Sequence, residues 1–254
     1  MIAVQLRLAG VDVRAEITGP CDPAHVTARF AGFFVNSIDA SSAWTVRVGV
    51  EPGRWEVPAG HGVFPGAGVT RQGDAVVYTR QTDVTVLDPV ARTLTVRARP
   101  SPRGIGPVED PTALDTPLRL LMAWALPRLG GVLVHACGWA EYEPALPAGA
   151  VLFAAVSGGG KTTTARKLPH AGVLSDDQVA LTRGPDGWVA HALPFVGEYR
   201  QATEARSAPL RRVVLLAKGD AFRDEPVALA RAVGALARCG VYFTPGDAGA
   251  AAVL

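Results

Sequence analysis

Residues 151–181 read VLFAAVSGGGKTTTARKLPHAGVLSDDQVAL, and this stretch decides the fold. Val151–Val156 is a compact apolar run of strand length, and Ser157-Gly158-Gly159-Gly160-Lys161-Thr162 follows at once. Glycines let a backbone curl closely around an anion, because no Cβ stands in the way. The N–H groups exposed by such a loop, and the helix start behind it, favour negative charge. In a loop of this kind the lysine, Lys161, reaches the β- and γ-phosphates of a nucleotide, and the hydroxyl of Thr162 suits Mg²⁺. Thr163 extends the candidate nucleotide contacts. A bare glycine turn with a surface lysine would share some of these letters. The preceding strand, the following helix and the hydroxyl favour a phosphate-binding loop. One letter departs from the usual pattern: Ala155 stands where the first glycine would. If the loop entry needed a positive φ, alanine there would cost about 1 kcal/mol.

Thr162–Leu168 can form about two helical turns before Pro169 and Gly172 end them. Val173–Leu181 then reads as a strand with Asp176 and Asp177 in its middle. Two carboxylates beside a triphosphate would repel it unless a cation neutralised the site. Neighbours on a strand face opposite ways, so the pair would divide its work. One aspartate faces metal or acceptor and the other supports it. The bland alternative is a solvated Asp-Asp turn.

Four pieces in order carry a family resemblance. They are Val132-Leu133-Val134-His135-Ala136, the Ser157–Thr162 loop, Leu174-Ser175-Asp176-Asp177, and Pro194-Phe195-Val196-Gly197-Glu198-Tyr199-Arg200. From about Leu118 to Leu216 the chain resembles the HPr kinase/phosphorylase family and its shorter bacterial relatives, which share the phosphoenolpyruvate-carboxykinase-like nucleotide fold. The resemblance implies an α/β or α+β chain. Strand alternation and proline–glycine punctuation predict a smaller strand-rich domain at 1–99 and a linker at 100–115, and the resemblance makes residues 116–254 a P-loop kinase domain. It also implies ATP and Mg²⁺ as cofactors, Asp177 as general base, Lys161 on the phosphates and His135 assisting in the active site. Thr162, Asp176 and Glu198 are the candidate metal-side residues. The glutamate of Glu198-Tyr199-Arg200 is similar to a Mg²⁺ ligand of that family, although a surface Glu–Arg pair would read the same way. Thr163 occupies a position where HPr kinase has glutamate. No C-terminal arginine can be matched, with Arg200, Arg206, Arg211 and Arg212 all candidates. The acceptor implied is a serine hydroxyl on a peptide or small protein, a precursor peptide included. A small-molecule hydroxyl kinase and a non-catalytic nucleotide-binding module remain as alternatives. Family members are often oligomeric, so a homo-oligomer is the corresponding expectation.

Ahead of this region the chain is plainer. The 254 residues are 48% hydrophobic with a formal net charge of +2, which argues against disorder and gives no basic stripe for nucleic acid. No stretch reaches membrane-spanning length, and Arg7, Asp12 and Arg14 interrupt any apolar leader. Cys21, Cys137 and Cys239 are odd in number and far apart, so they read as reduced thiols in a cytoplasmic protein. Alternation over Ile2–Leu8 and Val11–Ile17 around Ala9-Gly10 predicts a hairpin. A helix opened by Asp22-Pro23 would carry Val26, Phe30 and Phe33 on one side. Four strands follow near Trp44–Val50, Ala75–Tyr78, Val84–Leu87 and Leu94–Ala98. His25 and His61 are isolated and read as surface or packing residues. Pro100–Pro111 reads as a linker. Thr116-Pro117 would open a helix with Leu118, Leu121, Met122, Ala125, Leu126 and Leu129 inward, ended by Gly130-Gly131. Glu141 and Glu143 read as solvated residues of the hairpin before the loop. A hairpin turn is expected at Arg183–Gly187, a strand at Arg211–Leu216, and a helix at Glu225–Cys239 with Val227, Ala230, Val233, Leu236 and Ala237 inward.

Overall fold

The structure, a computed structural model, describes residues 1–19, 23–50, 67–80, 83–98, 112–141, 149–195, 197–198, 204–221 and 223–241. It is a mixed α/β protein with many strands and few helices. No described helix is long and apolar enough to cross a membrane. The chain divides into two compact units, essentially Met1–Met122 and Ala123–Tyr242. Cys21, His61, Glu143 and most of the expected linker lie outside the described residues.

In the first unit β1 (Ile2–Leu8) and β2 (Val11–Thr18) form the expected hairpin. Ala9 (φ 47°) and Gly10 (φ 84°) both turn left-handed, which matches the twist of the paired strands. Next come α1 (Pro23–Phe30), a 3-10 turn at Ala31–Phe33, and β3 (Trp44–Val50). The rest of the sheet is β4 (Ala67–Gln72), β5 (Ala75–Arg80), β6 (Asp83–Asp88) and β7 (Thr93–Ala98). The seven strands run in the order β1-β2-β3-β7-β6-β5-β4. β2, β3 and β7 are parallel to one another, and the other pairings are antiparallel. Val13, Ala15, Ile17, Val46, Val48, Leu94 and Val96 are buried on one face, and Val26, Phe30 and Phe33 are buried as expected. β4 is the strand missing from the sequence reading. It is an edge strand that pairs with β5, so its AGVTRQ sequence carries little of the apolar alternation that marks a covered strand.

α2 (Thr112–Arg128) starts a full turn before the expected Thr116-Pro117 cap. Asp115 in its first turn receives Arg29 of α1 at 2.9 Å. Pro117 therefore sits inside the helix, where it deletes only one early backbone bond. The expected stripe is buried except for Leu129, which is 61% exposed beyond the helix end. Gly130 (φ +72°) and the bond from Gly131 N–H to the Leu126 carbonyl close the helix, as a left-handed C-terminal cap does. The division between the units falls within α2, after Met122, rather than in the linker.

The second unit is organised around β8 (Val132–Glu141). Its other elements are β9 (Gly149–Ala154), α3 (Lys161–Lys167), β10 (Val173–Ser175), β11 (Gln178–Gly184), β12 (Gly187–His191), β13 (Ser207–Leu215), α4 (Leu229–Cys239) and β14 (Gly240–Val241). The pairings run β8-β11-β12-β13-β9 and return to β8, so these strands close a ring. The first half of β8 pairs with β11 and β14, and the second half with β10 and β9. Gly138 makes that crowding feasible: a Cβ there would lie 2.7 Å from Val179 Cγ2. The expected turn at Arg183–Gly187 is a two-residue connection with Gly184 opposite Gly187 (φ +125°). α4 begins four residues later than expected, at Leu229, and Val227 and Val233 are exposed rather than inward.

Candidate functional site

The glycine loop leaves the end of β9, and each of its glycines has a separate physical reason. Gly158 (φ +74°) and Gly160 (φ +101°) hold left-handed backbone, and Gly160 is the residue ahead of α3. Gly159 is needed for space: a Cβ there would lie 2.5 Å from Ala155 Cβ and 3.0 Å from the Val156 carbonyl. Ala155 itself is not among the residues with positive φ. The strain feared from the sequence does not arise, and its methyl is accommodated because Gly159 lacks one.

Lys161 is buried, and its Nζ donates to the carbonyls of Ala155 (2.9 Å) and Val156 (3.1 Å). An ammonium has three donors and no acceptor, so two of its bonds draw the side chain back over the loop. Thr164 Oγ1 donates to the Gly160 carbonyl at 3.0 Å and closes the first turn of α3.

The Asp-Asp pair lies in a bend, not in mid-strand. β10 ends at Ser175 and β11 begins at Gln178. The buried Ser175 hydroxyl causes the break by accepting the N–H groups of Asp177 and Gln178, both at 3.1 Å. Such local side-chain bonds compete with the sheet ladder. The bend separates the two carboxylates. Asp176 is buried and accepts the Gly197 N–H at 2.9 Å. Gly197 has no room for a side chain, since a Cβ would lie 2.6 Å from Asp176 Oδ2. Asp177 is half-buried, with Oδ1 3.2 Å from His135 Nε2. The Ala136 N–H also donates to the Asp177 carbonyl at 3.1 Å, which fixes the bend against β8. His135 stands where β8 changes partners: Val134 pairs with Gly240, and Ala136 pairs with Ala154.

These groups converge on one cleft of about 410 Å³, lined by His135, Ser157, Gly158, Gly160, Lys161, Thr162, Thr163, Asp176, Asp177, Gly197 and Glu198. Of the catalytic, loop and metal-side residues expected from sequence, Gly159 alone is not in the lining. Its part is to let the loop close on Ala155. Beneath the cleft Cys137 is buried, and its thiol is pushed up to about 12 by burial, with Asp176 adding to the shift and Lys161 opposing it. Burial likewise raises Cys239. Both read as inert thiols.

Two residues quoted within the motifs, Ser175 and Gly197, have no role assigned from sequence. Ser175 could have been found as a hydroxyl two residues before a carboxylate at a strand break. The reason for a glycine at Gly197 shows only when Asp176 is seen against it. Among the described residues no arginine lines the cleft. Arg206 donates to the Ala171 carbonyl and to Glu204, Arg212 pairs with Asp224 at 2.6 Å, and Arg211 packs beside Gly149. Arg200, Tyr199 and Val196 lie outside the described residues. Arg166 of α3 reaches the Glu198 carbonyl at 3.5 Å, at the rim.

The loop suits a polyphosphate, because Gly158 and Gly160 line the cleft without a side chain and the Lys161 ammonium lies against the loop carbonyls. The metal side is sparser. The described residues contain no group of three His, Cys, Asp or Glu able to hold a metal. Thr162, Asp176 and Glu198 all line the cleft, and Asp176 also accepts the Gly197 N–H. This suits Mg²⁺, which takes one or two protein oxygens and completes its shell with water and substrate phosphates.

No family model matches the chain, and no curated protein matches it in sequence.

Proposed function

We propose that the second unit is a P-loop kinase domain of the HPr-kinase-like type, which transfers the γ-phosphoryl group of ATP to a serine hydroxyl on a peptide or small protein. The observation that carries this reading is the shared cleft. A glycine cradle with Lys161 and Thr162 faces an aspartate held 3.2 Å from a histidine. Phosphoryl transfer needs positioning and charge neutralisation more than covalent chemistry from the protein. The loop N–H groups and Lys161 hold and neutralise the phosphates. Mg²⁺, when held by Thr162 and Glu198, would supply further charge neutralisation. Asp177 accepts the acceptor's hydroxyl proton as the new O–P bond forms and ADP departs. A carboxylate is a weak base toward a serine hydroxyl, so proton transfer runs late, with bond formation. His135 keeps the Asp177 carboxylate aimed into the cleft. Asp176 acts at one remove, by holding Gly197 and hence Glu198.

Incubation with γ-labelled ATP, Mg²⁺ and a pool of serine peptides tests this. The wild type should label peptide. Lys161→Ala and Asp177→Asn should each lose transfer by about 100-fold or more, and Asp177→Asn should still bind a fluorescent ATP analogue. Full transfer by folded Asp177→Asn would remove the base assignment. A wild type that binds no nucleotide would remove the whole reading. A second reading is a nucleotide-binding module without transfer. In the same assay it gives binding and no label.

A further inference from the structure

One buried polar side chain of the second unit lies next in sequence to the base candidate, yet outside the lining of the cleft. Gln178 is 6% exposed, and its Oε1 has no hydrogen-bond partner. Among the described residues of that unit, no other buried side-chain oxygen or nitrogen lacks one. An unsatisfied buried carbonyl opposes folding, so an amide at this position calls for a reason.

Its place in the sheet supplies one. Gln178 opens β11 and lies directly opposite His135 of β8. The Ala136 N–H donates to the Asp177 carbonyl at 3.1 Å, which makes Ala136 and Asp177 a hydrogen-bonded pair. By the alternation of an antiparallel ladder, His135 and Gln178 are then a non-hydrogen-bonded pair, the kind whose side chains lie closest on a shared face. The next pair on that face, Leu133 and Ala180, is buried and apolar and has no side-chain donor or acceptor to offer. His135 is thus the polar cross-strand neighbour of the amide. One nitrogen of its ring is committed, since Nε2 lies 3.2 Å from Asp177 Oδ1. An ionised carboxylate only accepts, so Nε2 carries the proton, and Nδ1 of the neutral ring is an acceptor. A half-turn of the Gln178 amide exchanges its carbonyl for its NH2 group with almost no change of shape. It replaces an acceptor that meets no donor with a donor beside an acceptor.

We infer that Gln178 is a positioning residue: its amide N–H donates to His135 Nδ1, holds the ring in the tautomer protonated at Nε2, and so keeps that proton on Asp177. In a histidine the hydrogen bond made by one ring nitrogen decides whether the other is protonated. The consequence for transfer rests on the kinase reading. The contact itself is tested without nucleotide, so the two can fail separately.

The test is NMR of the nucleotide-free, nitrogen-15-labelled full chain at about pH 8, above the ordinary imidazole range. Gln178→Met identifies the side-chain amide signals by their loss, and His135→Gln identifies the ring signals. A nuclear Overhauser effect should join the Gln178 NH2 protons to the carbon-bound ring protons of His135, and Nδ1 should be the unprotonated ring nitrogen. Gln178→Glu has the same shape but only accepts, so it should bring a proton to Nδ1, read from the nitrogen-15 shift. In the transfer assay Gln178→Met should lower kcat about tenfold and leave the KM for ATP within about twofold. Circular dichroism would verify that each variant is folded. Absence of the Overhauser effect in the wild type would overturn the inference, as would an unprotonated Nδ1 in folded Gln178→Glu or an unchanged kcat in folded Gln178→Met. A wild type that shows the contact but transfers no phosphate would leave the contact standing and remove the kinase reading.

Discussion

Gly159 shows how little tolerance the candidate site has at the scale of one residue. Its missing Cβ is what lets Ala155 occupy the loop entry without strain. Gly159→Ala should therefore leave the sheet intact and deform the cradle, because a methyl at 2.5 Å from Ala155 Cβ cannot be absorbed without moving the loop backbone. The expected outcome is a loss of nucleotide affinity of about tenfold or more with the far-ultraviolet circular dichroism unchanged. Titration with a fluorescent ATP analogue measures it. The double change Ala155→Gly with Gly159→Ala should recover part of the affinity, which distinguishes a local clash from general damage. The same scale separates Asp176 from Asp177. The two carboxylates are adjacent in sequence, but one is buried on Gly197 and the other faces His135. A serine hydroxyl one residue upstream makes that division by bending the chain.

At the scale of elements, the hairpin of β11 and β12 carries a titratable cross-strand contact. Thr182 Oγ1 and His191 Nε2 lie 2.7 Å apart on one face of the pair. Burial lowers the His191 pKa from the ordinary value of 6.5. The fold therefore favours neutral imidazole, and the unfolded chain binds the proton first as pH falls. Stability should be intact above the ordinary imidazole range. It should decline as pH drops through that range, and level off only below the lowered folded value. Urea unfolding between about pH 7.5 and 5 should show this slope. His191→Gln should flatten it. An unchanged slope in the variant would place the linkage elsewhere. β8 makes the complementary point, because a single strand with four pairing partners positions His135 between two sheet segments. Its role follows from neighbours distant in the chain and not from its own letters.

At the scale of the whole molecule, α2 supplies the first unit with a buried ion pair. Arg29 and Asp115 meet at 2.9 Å, with side-chain exposures of 11% and 8%. Removing one partner of such a pair strands the other in a poorly solvated site. Asp115→Ala should cost about 3 kcal/mol, seen as a lowered urea midpoint. The isosteric Asp115→Asn should cost less if hydrogen bonding rather than charge dominates. A cost below about 0.5 kcal/mol would mark the pair as screened, like an ordinary surface bridge. By itself the sequence determined the features that depend on near neighbours. These were the glycine loop between strand and helix, the two hairpins with their left-handed turn residues, the Gly130 helix end, and the order of the pieces that meet in the cleft. Such features are set by local φ/ψ preferences and by hydrogen bonds within a few residues. Only the tertiary structure decided that Ala155 is unstrained, that α2 starts at Thr112 to reach Arg29, and that the Asp-Asp segment is a bend. It alone brought His135 to Asp177 and Gly197 to Asp176. Those outcomes depend on strand register and close packing between segments far apart in the chain, and no window of adjacent residues encodes either.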